Sequence, residues 1–327
     1  MQQTEHKQFL LFMRDALVTL CTLLLLCISL WLLSRNNDAY AAILPQKIAW
    51  AANAPVPRLL LIGGSGVAEG VDSPMLESET GLHPVNMGIF AGVGLRFMFV
   101  TIAPKVQRGD TILIMPEYEL MQQPLYGDGF LLLEMLHANP GQIVHVLVPH
   151  SLLVMTRSLP TWMQIQAVSI FDHRIKPLFV KTTPTFAECL YSVRNFNTYG
   201  DVDSRIASTT HMSEQEVETQ SVDFVRPSAD LNTLALLKNF IAQEEAFGAH
   251  VFVVPPAVAT SVYEKNTDAI SKQFLQLTQT IGSGHILGTP ANFIFPNDGF
   301  IDSLGHLTYP NKEDRTERVI KLLKAHL

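Results

Sequence analysis

The chain has 327 residues, 47% of them apolar and 16% charged, with 19 Gly, 19 Pro and 3 Cys, which excludes a disordered or collagen-like protein and a disulfide scaffold. Lys and Arg number 23 against 30 Asp and Glu, a net charge of −7. No basic field is available to grip phosphate backbones, so nucleic acid is not an expected partner, and the length allows one large domain or two small ones.

Residues 1–15 read as a short cytoplasmic tail. Ala16 to Leu33 follows without a charge, between Arg14-Asp15 and Arg35. At about 1.5 Å per residue this run is roughly as long as a hydrocarbon core is thick. It predicts a single transmembrane anchor in the cell (inner) membrane. The alternative is a cleaved signal, for which Ala39-Tyr40-Ala41 resembles a small-x-small site. Lys7 and Arg14 face Arg35 and Lys47 with little asymmetry, so the short tail rather than the charges favours a cytoplasmic N-terminus and an extracytoplasmic body. Cys21 and Cys27 lie inside this run and Cys189 stands alone, which leaves no zinc or disulfide spacing.

Residues 34–57 are rich in Ala, Asn and Pro, and Pro45, Pro55 and Pro57 predict a tether rather than a continuous helix. The folded body is placed at 58–327. Arg58 to Ile62 is a short apolar run broken by Gly63-Gly64-Ser65-Gly66, the pattern of a buried parallel strand feeding a turn and a helix. Further strands are predicted at Pro84–Met87, Thr111–Met115, Ile143–Val148 and Val251–Val254, with a weaker one at His285–Leu287. Helices are predicted at Ala91–Ile102, Gly129–Leu136, Leu231–Phe247, Ala269–Ile281 and Asn311–Leu327. Strands alternating with helices predict an α/β fold whose parallel sheet is covered on both faces. The acidic stretch Asp201–Asp230 interrupts the alternation and reads as a surface excursion, either a lid or a solvated loop.

Ser65 at the tip of the glycine-rich turn has the placement of an exposed nucleophile with a backbone N–H beside it for a developing oxyanion. The same residues also suit a helix N-cap, and Gly64-x-Gly66-x-x-x-Gly70 is a loose match to a dinucleotide loop. Near the other end, Asp302 and His306 share one loop ahead of the last helix. A carboxylate on one ring nitrogen would fix the tautomer that a general base needs. The bland alternative is a capping aspartate beside a surface histidine. The Asn197–Asp201 turn would reach the site only by folding back over the strand ends. No His-x-x-x-His spacing occurs, and neither a metal nor a cofactor is expected.

A serine after the first strand and an Asp/His pair before the last helix, with a parallel sheet between them, resemble the SGNH (GDSL-like) hydrolase and acyltransferase superfamily. The likeness runs from Arg58 to Leu327 and has three points: Gly63-Gly64-Ser65 with Gly70, Asn86-Met87-Gly88, and Asp302 to His306. More specifically the chain resembles the membrane-anchored branch found with bacterial cell-surface polysaccharide systems, alongside the alginate O-acetylation and teichoic acid D-alanylation proteins. The resemblance implies a three-layer flavodoxin-like sheet and acyl-ester chemistry outside the cytoplasm, by hydrolysis or by transfer. Ser65 would be the nucleophile, His306 the base and Asp302 its orienting acid, with the Ser65 and Gly88 amides holding the oxyanion. Its partners would be an acylated carbohydrate or an acyl-donor protein, together with a membrane-embedded acyl carrier.

The sequence departs from the family where an oxyanion-donating asparagine is expected, because the third strand runs into Pro116-Glu117-Tyr118-Glu119. An ionised Glu117 cannot donate. Protonated Glu117, Tyr118 or Asn86 would have to supply the donor, or turnover would be slow, which would suit a catalytically weak binding or assembly component instead.

Overall fold

The computed structural model describes residues 2–122, 125–179, 189–207, 210–221 and 224–327. Helix α1 (Gln2–Leu33) is long and apolar enough to cross a membrane over His6–Leu33. Its side chains are exposed from His6 to Leu26, and only Cys27, Leu30 and Trp31 in its last turns are half-buried.

The expected tether is instead part of the body. A 3-10 turn at Tyr40–Ile43 leads into α2 (Leu44–Asn53), and Tyr40, Ile43, Leu44 and Ala51 are buried in the core. Pro45 falls in the first turn of α2, where its missing N–H would have had no partner in any case. The buried Lys47 ammonium donates to the carbonyls of Asn86, Gly88 and Gly200 at 3.0, 2.6 and 2.7 Å, tying α2 to the loop after the second strand.

The body continues with β1 (Arg58–Ile62), α3 (Ser65–Ala68), α4 (Ser73–Thr80), β2 (His83–Asn86), α5 (Gly94–Ile102) and β3 (Thr111–Ile114). After these come α6 (Tyr118–Gln122), α7 (Gly129–Ala138), α8 (Ile143–Val146) and α9 (Pro149–Ile170). The last third contains α10 (Glu214–Ser221), α11 (Leu231–Phe247), β4 (His250–Val253), β5 (Val258–Ala259), α12 (Thr260–Ile281), β6 (Ile294–Phe295) and α13 (Tyr309–Leu323). Local chemistry sets several of these limits. Asp72 and Asp230 cap α4 and α11 by accepting from the amides of Met75 and Thr233, and Gly81 and Gly248 end the same helices at φ of +70° and +107°.

Four strands form one parallel sheet in the order β2-β1-β3-β4, and β5 and β6 pair separately, also in parallel. Alternate residues of β1 enter two cores on opposite faces: Leu60 and Ile62 join one, and Leu59 and Leu61 the other. A strand buried on both faces explains its unbroken apolar run. At the opposite end of the sheet from the catalytic candidates, buried Arg58 grips Asp110 through Nε and Nη2, at 2.9 and 2.5 Å.

Two strand expectations change. Ile143–Val148 begins as the helical turn α8, in which Ile143 and Val144 are exposed and only Val146 is buried. The edge of β3 that such a strand would need is taken by β4. His285–Leu287 contributes a single parallel bridge, from Ile286 to Val253. The long helix α9, in a region where no element is predicted, packs against α7. The acidic excursion contains α10, while its residues 208–209 and 222–223 lie outside the described residues.

Candidate active site

The C-terminal ends of β1 and β3 place Ser65 and Glu117 side by side. Beyond Ile62 the chain turns through Gly63-Gly64, and Ser65 opens α3 with Gly64 in the N-cap position. Beyond β3, Pro116 turns the chain so that the Glu117 carboxylate lies across that turn. One of its oxygens accepts from the Gly64 amide at 3.0 Å and the other from the Gly66 amide at 2.8 Å. A Cβ on Gly64 would sit 2.5 Å from this carboxylate and 2.7 Å from Ala91 Cβ, and one on Gly66 2.8 Å from the carboxylate and 3.0 Å from the Gly305 carbonyl oxygen, so a side chain at either position would push Glu117 off the turn.

The loop before α13 supplies the imidazole. Its turn is closed by the His306 amide donating to Ser303 O and the Ile301 amide donating to His306 O, and Phe300 and Leu307 form a bridge across its neck. His306 Nε2 lies 2.7 Å from Ser65 Oγ and Nδ1 lies 2.7 Å from Asp302 Oδ1, although Ser65 and His306 are 241 positions apart. Three of the residues singled out from the sequence, Ser65, Asp302 and His306, therefore form one continuous hydrogen-bonded line.

Two further side chains reach the imidazole, and neither was singled out from the sequence. The Tyr191 hydroxyl donates to Asp302 Oδ2 at 2.5 Å, and its oxygen lies 3.1 Å from His306 Nδ1. Glu69, one helical turn beyond Ser65, is completely buried with Oε2 3.5 Å from the same nitrogen, and neither of its carboxylate oxygens has a hydrogen-bond partner among the described residues. An acidic residue at that spacing from Ser65 was a readable signal, whereas Tyr191 arrives from a distant loop and left none. Arg315, buried on α13, donates to the Gly66 carbonyl at 2.6 Å and holds the turn from below.

These contacts set the charges. Burial works against the imidazolium of His306, but the carboxylates of Glu69, Asp302 and Glu117 outweigh it and push the ring up to about 9. Burial pushes Glu69 up to about 7, with His306 pulling the other way. Burial also raises Glu117, against the pull of the amides and of Arg315. Burial opposes ionisation of Asp302 too, yet the hydrogen bonds from His306 and Tyr191 keep it below the ordinary aspartate value.

The expected oxyanion donors Gly88 and Asn86 are engaged elsewhere. The Gly88 amide donates to Asn86 Oδ1 at 2.9 Å, and Asn86 Nδ2, fully buried, donates to Val67 O and to Asp201 Oδ1. Asp201 also accepts from the Ser73 amide and hydroxyl and from Asn197. The Asn197–Asp201 turn thus braces the back of the site instead of reaching into it. Tyr118 lines the cavity, and its hydroxyl is buried with no hydrogen-bond partner among the described residues.

A cavity of about 150 Å³ opens on Ser65 and His306, walled by Met115, Tyr118, Phe224 and Leu304. The acidic excursion helps to build it. Gln220 of α10 accepts from the Leu304 amide and donates to the Asp302 carbonyl, fastening the histidine loop from outside. No protein-family model matches the chain, and no curated protein matches it.

Proposed function

We propose that the protein is a membrane-tethered serine esterase or O-acyltransferase of SGNH type, acting outside the cytoplasm on acyl esters of a cell-surface polysaccharide. The observation that carries this reading is the line Ser65–His306–Asp302 with both links at 2.7 Å, at the C-terminal edge of a parallel sheet. The strand order β2-β1-β3-β4, with Ile286 bridging beyond β4, accords with the flavodoxin-like arrangement, in which sites lie beyond the strand ends.

In this reading neutral His306 takes the Ser65 proton on Nε2 as Oγ bonds to the ester carbonyl carbon, and Asp302 steadies the imidazolium that forms. His306 then returns the proton to the departing alcohol oxygen as the C–O bond breaks, leaving an acyl group on Ser65. Water or a sugar hydroxyl attacks that group, gives its proton to His306, and Oγ leaves with the proton returned. The first gives hydrolysis and the second transfer. The Gly64 and Gly66 amides are the donors beside the nucleophile, and the acyl oxygen would displace Glu117 from them. A cavity of this size takes a benzene-sized group, which favours a short acyl chain.

The grip of Glu117 on both amides favours a second reading, a catalytically weak component of polysaccharide assembly that binds an acylated partner. Release of p-nitrophenol from acetate and palmitate esters separates the two. An esterase cleaves the acetate and spares the palmitate, and His306→Ala abolishes the cleavage. Equal cleavage by the parent chain and His306→Ala removes the proposal.

A further inference from the structure

We infer that α8, α9 and the turns that follow them lie in the outer leaflet of the bilayer beside α1, so that the body rests on the membrane instead of hanging from it. The inference rests on α1 crossing a membrane, which is part of the proposed function, and is independent of the acyl chemistry.

Helix α9 runs for 22 residues, yet only Ser151, Met155, Trp162 and Gln166 of it are buried. Arg157 is the one Lys, Arg, Asp or Glu between Pro149 and Ile170. Apolar side chains face outward along the rest of the helix, from Leu152 and Leu153, through Ile165, to Val168 at 60% exposure. The face extends back to Val144 at 67% exposure and forward to Phe179 at 82%. Thr156, Arg157, Thr161 and Gln164 interrupt this surface, yet exposed apolar area on this scale marks an interaction site.

What covers it follows from its junction with α1. Met163 Sδ lies 3.9 Å from Cys27 Sγ, the Trp162 and Trp31 rings meet at 5.2 Å, and Arg174 donates to the Arg35 carbonyl. If Arg14-Asp15 and Arg35 mark the two faces of the bilayer, Cys27 lies six residues inside Leu33, about 9 Å below the end of the apolar run. Met163 is carried to that depth, and Arg174 returns to the level of the headgroups beside Arg35. Interfacial helices bury their apolar faces about 5–10 Å deep, the same range. The exposed Arg174 and Lys176 then fall where long cationic side chains reach the headgroups.

The test uses the full chain with Cys21, Cys27 and Cys189 replaced by alanine. An environment-sensitive fluorophore is placed on one new cysteine at a time: Leu23→Cys in α1, Ile165→Cys or Val168→Cys in α9, and Lys272→Cys on the exposed side of α12. Each protein is reconstituted in vesicles of equal parts phosphatidylcholine and phosphatidylglycerol, with or without doxyl-labelled lipid. Labels at 23, 165 and 168 should lose about half their emission to the quencher, while the label at 272 loses none. Quenching at 23 but not at 165 or 168 overturns the inference and leaves the anchor standing, with a protein as the occupant of the face. No quenching at any position overturns the anchor and the inference with it.

Discussion

His306 carries a conflict that fixes how the site should respond to pH. Its imidazole must be neutral to accept the Ser65 proton, but the surrounding carboxylates hold it protonated up to about 9. Its folded value lies above the ordinary one, so the base form appears only as pH rises. The rate of Ser65 acylation should climb through neutrality and level off near that value. Glu69→Gln removes a buried charge 3.5 Å from Nδ1 and should move the inflection down by about one to two pH units. An inflection that stays in place would assign the shift to Asp302 and Glu117. Glu117 poses the complementary question. Its carboxylate holds the amides of the two residues that flank Ser65, and one oxyanion donor is typically worth about 10²- to 10³-fold in rate. Glu117→Gln keeps one acceptor for the turn and adds an N–H, so acylation should rise by about tenfold or more on the same scale. A fall would make the carboxylate a support that the Ser65 turn requires. Ser65, Asp302 and His306 were legible from their residue types and chain order. Tyr191 and Arg315 were not, because each is brought to the site by tertiary folding with no local spacing to announce it.

At the scale of elements, what the sequence reveals depends on whether burial or context decides the structure. The strands β1 and β3 were readable since a strand buried on both faces reads as a nearly unbroken apolar run, and α11 since Asp230 and Gly248 mark its ends. Ile143–Val148 misled because a short apolar run has the same pattern as a strand and as an exposed helical turn, and only the neighbouring elements separate them. The segment 36–57 misled for the opposite reason. Its prolines suggest a linker, but Pro45 opens α2, and Lys47 spends its three donors on carbonyls of the loops behind the site. A chain beginning at Arg58 should therefore lose both the Tyr40–Leu44 part of the core and the Lys47 bracket. It should be cut rapidly in limited proteolysis, while a chain beginning at Asn36 resists. Equal resistance of the two would return this segment to the role of a tether.

The molecule as a whole joins an apolar helix, a doubly covered parallel sheet and a small cavity at the end of that sheet. The central claim is that Ser65 and His306, drawn together from opposite ends of the body, act as one nucleophile. Peptide-level mass spectrometry of the full chain after reaction with a fluorophosphonate tests it most directly. The account predicts a single adduct on the peptide that carries Ser65, absent from Ser65→Ala and strongly reduced in His306→Ala. An adduct on another residue, or one on Ser65 that forms equally well without the imidazole, would contradict it.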